Sequence, residues 1–191
     1  MKKILLGSLI SLIIIVVIIF SSIIGEYNKL QIMDENINSN WAQVENQLKR
    51  RSDLVPNLVN TVKGYANLEK EVFTNIANAR SKLAGAIKTD NVKDISTSNQ
   101  EFTSALSRLL VVVENYPQLK SDKSFIALSD ELAGTENRIA VARLDYNNSV
   151  KVLNAKIRTF PSSIIANFSN IKARDYFEAD EASKEVPKVE F

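Results

Sequence analysis

Residues 4–24 read ILLGSLISLIIIVVIIFSSII, an apolar run that contains no charged side chain. As a helix, this run is roughly 30 Å long, which matches the hydrocarbon thickness of a bilayer. Its serine hydroxyls can bond to carbonyl oxygens of the preceding turn, so they do not prevent burial in lipid. The run therefore predicts a single membrane-spanning helix, and residues 1–25 are predicted to be a short cytoplasmic stub followed by this span.

A cleaved signal peptide is the alternative interpretation of the same run, with Lys2 and Lys3 as its charged start. The hydrophobic part of a signal peptide is usually about 7–15 residues long and ends at small residues. This run is longer, and the large side chains of Ile23 and Ile24 precede Gly25. These two differences favour a retained membrane anchor.

Composition restricts the classes of function. Lys and Arg number 24 against 22 Asp and Glu, and no run of like charge stands out, so no nucleic-acid partner is predicted. The absence of cysteine and histidine removes thiolate zinc sites, cysteine nucleophiles and the commonest general base. We therefore expect no enzyme activity, no metal and no cofactor. A metal or hydrolase site built from carboxylates alone stays open as the alternative.

The remainder of the chain has apolar side chains at helical spacing and only five Gly and four Pro, which favours long helices. We predict an all-α fold in which the transmembrane helix is followed by an antiparallel up-and-down four-helix bundle over residues 26–165, with coiled-coil-like seams. Residues 166–191 are predicted to be a C-terminal extension, disordered from about residue 179. Four predicted seams define the helices: Tyr27 to Leu48, Leu58 to Leu83, Ile95 to Tyr116, and Phe125 to Phe160.

Pro56 is the main breaker inside this pattern. Proline lacks an N–H and disfavours helix at the preceding residue, so the first two bundle helices are predicted to separate there, with the second running from about Leu54 to Ile87. The alternative is one kinked helix, because Leu48, Val55 and Val62 keep a heptad spacing across the proline. The break is preferred because a helix continuing from Tyr27 to the end of the second seam would be roughly 90 Å long, with its first half unpartnered.

Two stretches resemble one family. The first is LKRRSDLVPNLV at residues 48–59 followed by VKGY at 62–65, and the second is GTENRIAVAR at 134–143 followed by DYN at 145–147 and FPS at 160–162. Both are similar to the LemA family of bacterial membrane-anchored proteins, and the resemblance extends from the anchor to about Ile165. It implies an N-terminal membrane helix, a helical bundle and no established enzymatic activity.

The candidate site consists of polar side chains in or near these motifs. They are interpreted as a structural corner and a buried polar layer that fixes helix register, or as a surface that binds a partner. Glu136 and Arg143, seven residues apart on one helix face, are expected to meet Asn57 or Arg80. The full set is Arg50, Arg51, Asp53, Asn57, Lys63, Tyr65, Arg80, Glu136, Asn137, Arg138, Arg143, Tyr146 and Asn147.

These features predict a non-enzymatic scaffold or interaction protein at the bacterial cell membrane. Its expected partners are the lipid bilayer, through residues 4–24, and a protein partner or a second copy of the chain. The alternatives are an accessory subunit of a membrane enzyme such as a protease, and a carboxylate-dependent hydrolase. Because Lys2 and Lys3 precede the span and only Lys29 follows it closely, the bundle is expected outside the cytoplasm.

Overall fold

The fold is built from helices, and a computed structural model describes residues 2–65 and 70–178 of the chain, with side chains for residues 6–64 and 70–178. These ranges contain no strand, in agreement with the predicted all-α class. The predicted disorder from about residue 179 lies outside the described residues. The helices are α1 (Lys2–Tyr65), α2 (Lys70–Thr89), α3 (Val92–Val113), α4 (Pro117–Lys120), α5 (Lys123–Lys156) and α6 (Ser162–Phe168).

Contacts between residues divide the chain into two compact units. Within the described residues, we call residues 40–147 together with residues 175–178 the bundle unit, and residues 2–39 together with Asn148–Arg174 the anchor unit. Each unit has its own buried apolar residues. Val44, Leu58 and Ile139 are fully buried in the bundle unit, and Leu30 and Leu153 are fully buried in the anchor unit.

The bundle unit has the predicted up-and-down topology. Between α1 and α5, Asn40 reaches Asp145 whereas Arg51 reaches Glu136, so residue numbers rise on one helix as they fall on the other. The α2 and α3 helices form a hairpin that Lys82 and Glu101 join with an ion pair of 2.8 Å. Four helices with short connections and alternating direction make the four-helix bundle expected from the sequence.

Side-chain caps fix the starts of α3 and α5. Asn91 caps α3 by accepting hydrogen bonds from the backbone N–H groups of Lys93 and Asp94. Asp90 has a φ of 53°, a left-handed conformation that Asp tolerates better than most residues. At the start of α5, the Asp122 carboxylate accepts hydrogen bonds from the backbone N–H groups of Ser124 and Phe125.

The predicted break at Pro56 is wrong, because α1 continues through the proline to Tyr65. A proline at this position leaves the carbonyl oxygen of Ser52, four residues earlier, without its helical donor. Arg80 supplies the missing donor, since its Nε lies 2.8 Å from that oxygen. The seam also gains from continuity, because Val55, Leu58 and Val62 are all buried. The first half of the helix does have a partner, since the rings of Trp41 and Tyr146 are 5.1 Å apart.

The seam predicted for the last bundle helix is confirmed along most of α5 but is wrong at Phe160. Phe125, Thr135, Ile139, Ala142, Tyr146, Val150 and Leu153 are buried. The helix ends at Lys156, and turns at residues 157–161 carry the chain into α6. Phe160 therefore leaves the helical seam, and its side chain is 81% exposed.

Ion pairs and hydrogen bonds hold the anchor unit together. The carboxylate of Glu26 pairs with Lys156 and accepts a hydrogen bond from the Ser162 hydroxyl at 2.5 Å, and these two bonds hold the pKa of Glu26 below its usual range. Arg174 bonds to Asp34 at 2.9 Å and to the Asn38 side chain at 3.2 Å. The first turn of α6 is thereby fixed beside α1 at Glu26, immediately after the apolar run.

We expect Arg80→Met to lower the free energy of unfolding by about 1 kcal/mol, because it leaves the Ser52 carbonyl without a donor. The same substitution is also made in a Pro56→Ala background, where the N–H of residue 56 can donate to the Ser52 carbonyl. Arg80→Met should therefore cost less free energy of unfolding in that background than in the original chain. Thermal unfolding of the full chain in detergent, followed by circular dichroism, measures both values. Equal losses in the two backgrounds would show that the Arg80 bond does not compensate for the proline.

Candidate functional site

Arg51 is the centre of a buried polar cluster in the bundle unit. Its residue is 5% exposed, and one guanidinium nitrogen contacts the Asn99 side-chain oxygen at 3.1 Å, the Thr103 hydroxyl at 3.0 Å and the Glu136 carboxylate at 3.0 Å. The Phe102 ring lies 5.5 Å from the guanidinium carbon. Burial lowers the pKa of Arg51, and the Glu136 charge opposes this shift. We call Arg51, Asn99, Thr103 and Glu136 the Arg51 cluster; it joins α1, α3 and α5.

A second group of ion pairs joins the same two helices, α1 and α5, through residues close in sequence to Arg51 and Glu136. This group is more exposed to solvent. Glu131 accepts from Arg50 and from Arg138, each at 2.7 Å, and Arg138 also contacts the Thr135 hydroxyl at 3.0 Å. Desolvation acts to raise the pKa of Glu131, but the two guanidinium groups together hold it below its usual range. Arg50 and Arg138 are about half exposed, so solvent screens this group far more than it screens Arg51.

A pocket of about 300 Å³ opens beside the Arg51 cluster, between α1, α3 and α5. Its walls are mostly apolar, with Leu58, Leu106 and Leu132 among them, and Arg51 and Glu136 form its polar end. The hydroxyl oxygen of Ser129 is buried in this wall without a hydrogen-bond partner in the described part of the chain. The arrangement suits an apolar group with one polar end, in the manner of small ligand sites.

The other residues predicted near the first motif lie apart from this cluster. Arg80 binds the Ser52 carbonyl and lies 3.8 Å from the Asp53 carboxylate. Asn57 is exposed, so neither it nor Arg80 provides the expected partner of Glu136, which pairs with Arg51 instead. The Lys63 ammonium lies 4.9 Å from the centre of the Phe73 ring. The side chain of Tyr65 lies outside the described residues.

Three residues of the second motif bind the C-terminal segment, which we define as residues 171–178. Asn147 makes two bonds to the backbone of Phe177, accepting from its N–H at 2.9 Å and donating to its carbonyl at 3.0 Å. The Tyr146 hydroxyl donates to the Asp175 carbonyl at 2.8 Å. Arg143 donates to the Glu178 carbonyl at 2.9 Å and covers the Phe177 ring at 4.6 Å. These side chains attach the segment to α5.

Asn154 was not among the sequence candidates, although it repeats the chemistry of Asn147. In the anchor unit it accepts from the N–H of Arg174 and donates to the carbonyl of the same residue, both at 2.9 Å. Asn147 and Asn154 are seven residues apart in the sequence, which places them on one side of a helix. The repeated amide at this spacing is the one signal that sequence reasoning could have used, because residues 171–178 have no regular apolar periodicity of their own.

Trp41 has a polar role besides its contribution to the core. Its indole N–H donates to the Asp90 carboxylate at 2.8 Å, and its ring packs against Tyr146 and Phe177. Glu45 lies near the same carboxylate, and burial together with the Asp90 charge raises the pKa of Glu45. This contact explains how the α2–α3 turn is fixed to α1.

A shallow groove runs between α1 and α5 in the bundle unit, with a volume of about 360 Å³. We call it the α1/α5 groove. Val141, one of its lining residues, is 59% exposed although it has a large apolar side chain. The side-chain oxygen of Gln47 is buried there without a hydrogen-bond partner among the described residues. The residues that line it are Gln43, Gln47, Asn137, Arg138, Val141, Ala142 and Asp145.

The chemistry of these sites is that of ion pairing and hydrogen bonding. Within residues 2–65 and 70–178 there is no group of three acidic side chains able to hold a metal ion. The carboxylates of Glu131 and Glu136 are both engaged by arginines. The Arg51 cluster can fix the register of three helices, and the α1/α5 groove offers an apolar surface beside an unfilled acceptor.

We expect Glu136→Ala to destabilise the chain by about 1–2 kcal/mol, because it leaves the buried Arg51 charge with neutral partners only. Glu131→Ala is the matched control on the same helix, and it should change stability little because its arginine partners are exposed to solvent. Thermal unfolding of the full chain in detergent compares the two variants. Equal destabilisation would contradict the special role of the buried arginine.

Comparison with known proteins agrees with the motifs. The family model described as "LemA family" matches residues 40–191. Magnetosome protein MamQ 2 of Paramagnetospirillum magneticum is 26% identical over 186 residues, an alignment that covers 85% of this chain and 68% of that protein. Protein LemA of Metamycoplasma hominis is 27% identical over 161 residues, covering 84% of this chain and 73% of that protein. Because the family model matches most of the chain, this protein belongs to the LemA family.

Proposed function

We propose that this protein is a membrane-anchored, non-enzymatic interaction module that binds a second protein through the α1/α5 groove. The observation that carries the proposal is the pairing, in one groove, of exposed Val141 with the buried, unpartnered oxygen of Gln47. A buried acceptor without a donor is costly, and a partner whose binding turns the Gln47 amide toward its own donor removes that cost.

Residues 4–24 support the membrane part of the proposal. Every Ile, Leu, Val and Phe side chain from Leu6 to Ile24 is between 46% and 63% exposed. By length and composition, α1 can cross a membrane. A helix that is apolar on all sides and unburied by protein is stable in lipid and unfavourable in water. The bilayer is therefore the proposed surrounding of this part of α1.

The partner proposed for the groove is a different protein, and a second copy of the chain is the alternative that the test must exclude. The Arg138 guanidinium is already directed to Glu131 and Thr135, so the unfilled group of the groove is the acceptor of Gln47. A two-fold dimer through this groove would bring the amide donors of a second Gln43, Gln47 and Asn137 to the same surface, so the crosslinking experiment below must separate a second copy from a different protein. The partner proposed here places an apolar side chain on Val141 and donates a hydrogen bond to Gln47.

A non-enzymatic role is supported by residue chemistry. The chain has neither His nor Cys, and the carboxylates beside the pocket of the Arg51 cluster are held by arginines. The accessory-subunit role differs only in the identity of the partner, which would be a membrane enzyme. The hydrolase alternative requires a carboxylate released from its arginine, and turnover of a substrate that is lost in Glu136→Gln would support it.

A photo-reactive amino acid placed at Val141 of the full chain, in its native membrane, is expected to form one covalent adduct with a different protein. The matched control is Val111 on α3, which is 64% exposed and outside the groove, and which should give no such adduct. Gln47→Leu should lower the yield at residue 141, because it removes the acceptor. Mass spectrometry of the adduct identifies the partner. An adduct between two copies of the chain, or equal labelling at residues 141 and 111, would contradict the proposal.

The bundle is proposed to lie outside the cytoplasm, supported by the excess of lysine before the span. Ser121→Cys provides a single thiol in a chain without cysteine, at an exposed residue that follows α4. A membrane-impermeant maleimide is expected to label it in intact cells, after permeabilisation of any outer membrane. Labelling only after lysis of the inner membrane would place the bundle in the cytoplasm instead.

A further inference from the structure

The anchor unit exposes an unusual set of large apolar side chains at the end of the predicted span. Phe160 is 81% exposed, Phe168 is 91% exposed and Ile164 is 51% exposed. Together they form one wall of a groove of about 540 Å³, whose other wall belongs to α1. We call the three side chains Phe160, Ile164 and Phe168 the juxtamembrane patch. Such a cluster of exposed aromatic and aliphatic groups is unfavourable in water and marks an interaction surface.

The opposite wall of the groove identifies what covers this patch. It is formed by Ile19, Phe20, Ile23, Ile24 and Tyr27, of which the first four belong to the apolar run. Lipid that surrounds the run must therefore also meet the patch, because the two walls enclose the same space. The patch is continuous with the surface that the proposed function already assigns to lipid.

The position of α6 along α1 gives the depth of the patch. Ser162, the first residue of α6, donates a hydrogen bond to Glu26, two residues after the apolar run. From there the groove extends along α1 to Ile19, which is five residues inside the end of the run at Ile24. At 1.5 Å per residue this is roughly 7 Å below the boundary of the hydrocarbon region. Interfacial helices bury their apolar faces to about 5–10 Å, so the depth suits the bilayer interface.

The flanking residues also suit this location. Arg158 precedes the patch and Lys172 follows it, and both side chains are exposed. Tyr27, an aromatic residue with a polar tip, is 42% exposed at the level where the apolar run ends. Cationic and Tyr side chains are enriched at the headgroup level of membrane proteins, where they contact phosphates and water.

We propose that residues 160–168 insert into the acyl-chain and headgroup boundary of the bilayer, so that the chain contacts the membrane through a second element besides its spanning helix. The proposal rests on the proposed membrane anchoring. It assigns the groove between α6 and α1 to lipid acyl chains. It also gives the Glu26–Ser162 hydrogen bond and the Glu26–Lys156 ion pair a role, because they hold α6 at the depth of the interface.

Fluorophore-labelled single-cysteine variants of the full chain, in phosphatidylcholine vesicles, test this contact. Phe168→Cys reports on the patch. Because the Phe168 side chain is 91% exposed, we expect this substitution to leave the fold intact. Val111→Cys is the aqueous control in the bundle unit, and Ile14→Cys is the control within the apolar run. Lipids with brominated acyl chains quench labels in the bilayer, and iodide quenches labels in water.

We expect the label at residue 168 to be quenched by brominated lipid, as at residue 14, and to be several-fold less sensitive to iodide than the label at residue 111. A label at residue 168 that behaves like residue 111, while residue 14 is quenched by lipid, would overturn the inference and leave the membrane anchor intact. Aqueous behaviour at residues 14 and 168 alike would overturn the anchor as well. Protection of residue 168 from both quenchers would show that protein covers the patch, which also overturns the inference.

Discussion

The hydrogen bond from Arg80 to the Ser52 carbonyl is the contact on which the continuity of α1 depends. Pro56 removes one helical hydrogen bond and would disfavour helix in its neighbourhood by about 3 kcal/mol. Two effects oppose this cost. One is the donor from Arg80, and the other is burial of the seam residues Val55 and Leu58 on either side of the proline. Earlier on the same uninterrupted helix, Arg50 and Arg51 pair with Glu131 and Glu136 of α5.

The sequence predicts the helices well because apolar periodicity and capping are local properties. Most buried residues of α3 and α5 follow directly from the apolar periodicity, and the caps Asn91 and Asp122 are residues of the types that favour helix starts. The predicted break at Pro56 is wrong because the contact that compensates for the proline is not local in sequence. The strongest local signal favoured a break, whereas the compensating donor comes from 28 residues away on another helix. In this chain the heptad spacing that continues across Pro56 predicts the helix better than the proline does, because a distant arginine supplies the missing donor.

The candidate site was also predictable in its residue types and not in its contacts. The residue types at the two motifs indicated ion pairs and a polar layer, but the pairings depend on the relative rotation of three helices, which sequence spacing does not determine. Glu136 thus meets Arg51, and Arg143 binds the C-terminal segment. The segment itself escaped prediction because residues 171–178 have no regular periodicity. They are held instead by bonds from Asn147 and Asn154 to backbone groups, which any sequence can provide.

Most polar residues of the motifs are therefore engaged in holding the fold, which changes where a function should be sought. A side chain that already pairs within the chain must lose that contact to bind a partner, and for buried Arg51 the loss is large. The surfaces that bind at least cost are those with exposed apolar groups or unfilled acceptors. The α1/α5 groove has both, and the juxtamembrane patch has the first. A protein suits the groove because a protein can supply a donor, whereas lipid suits the patch because the neighbouring wall is the apolar run itself.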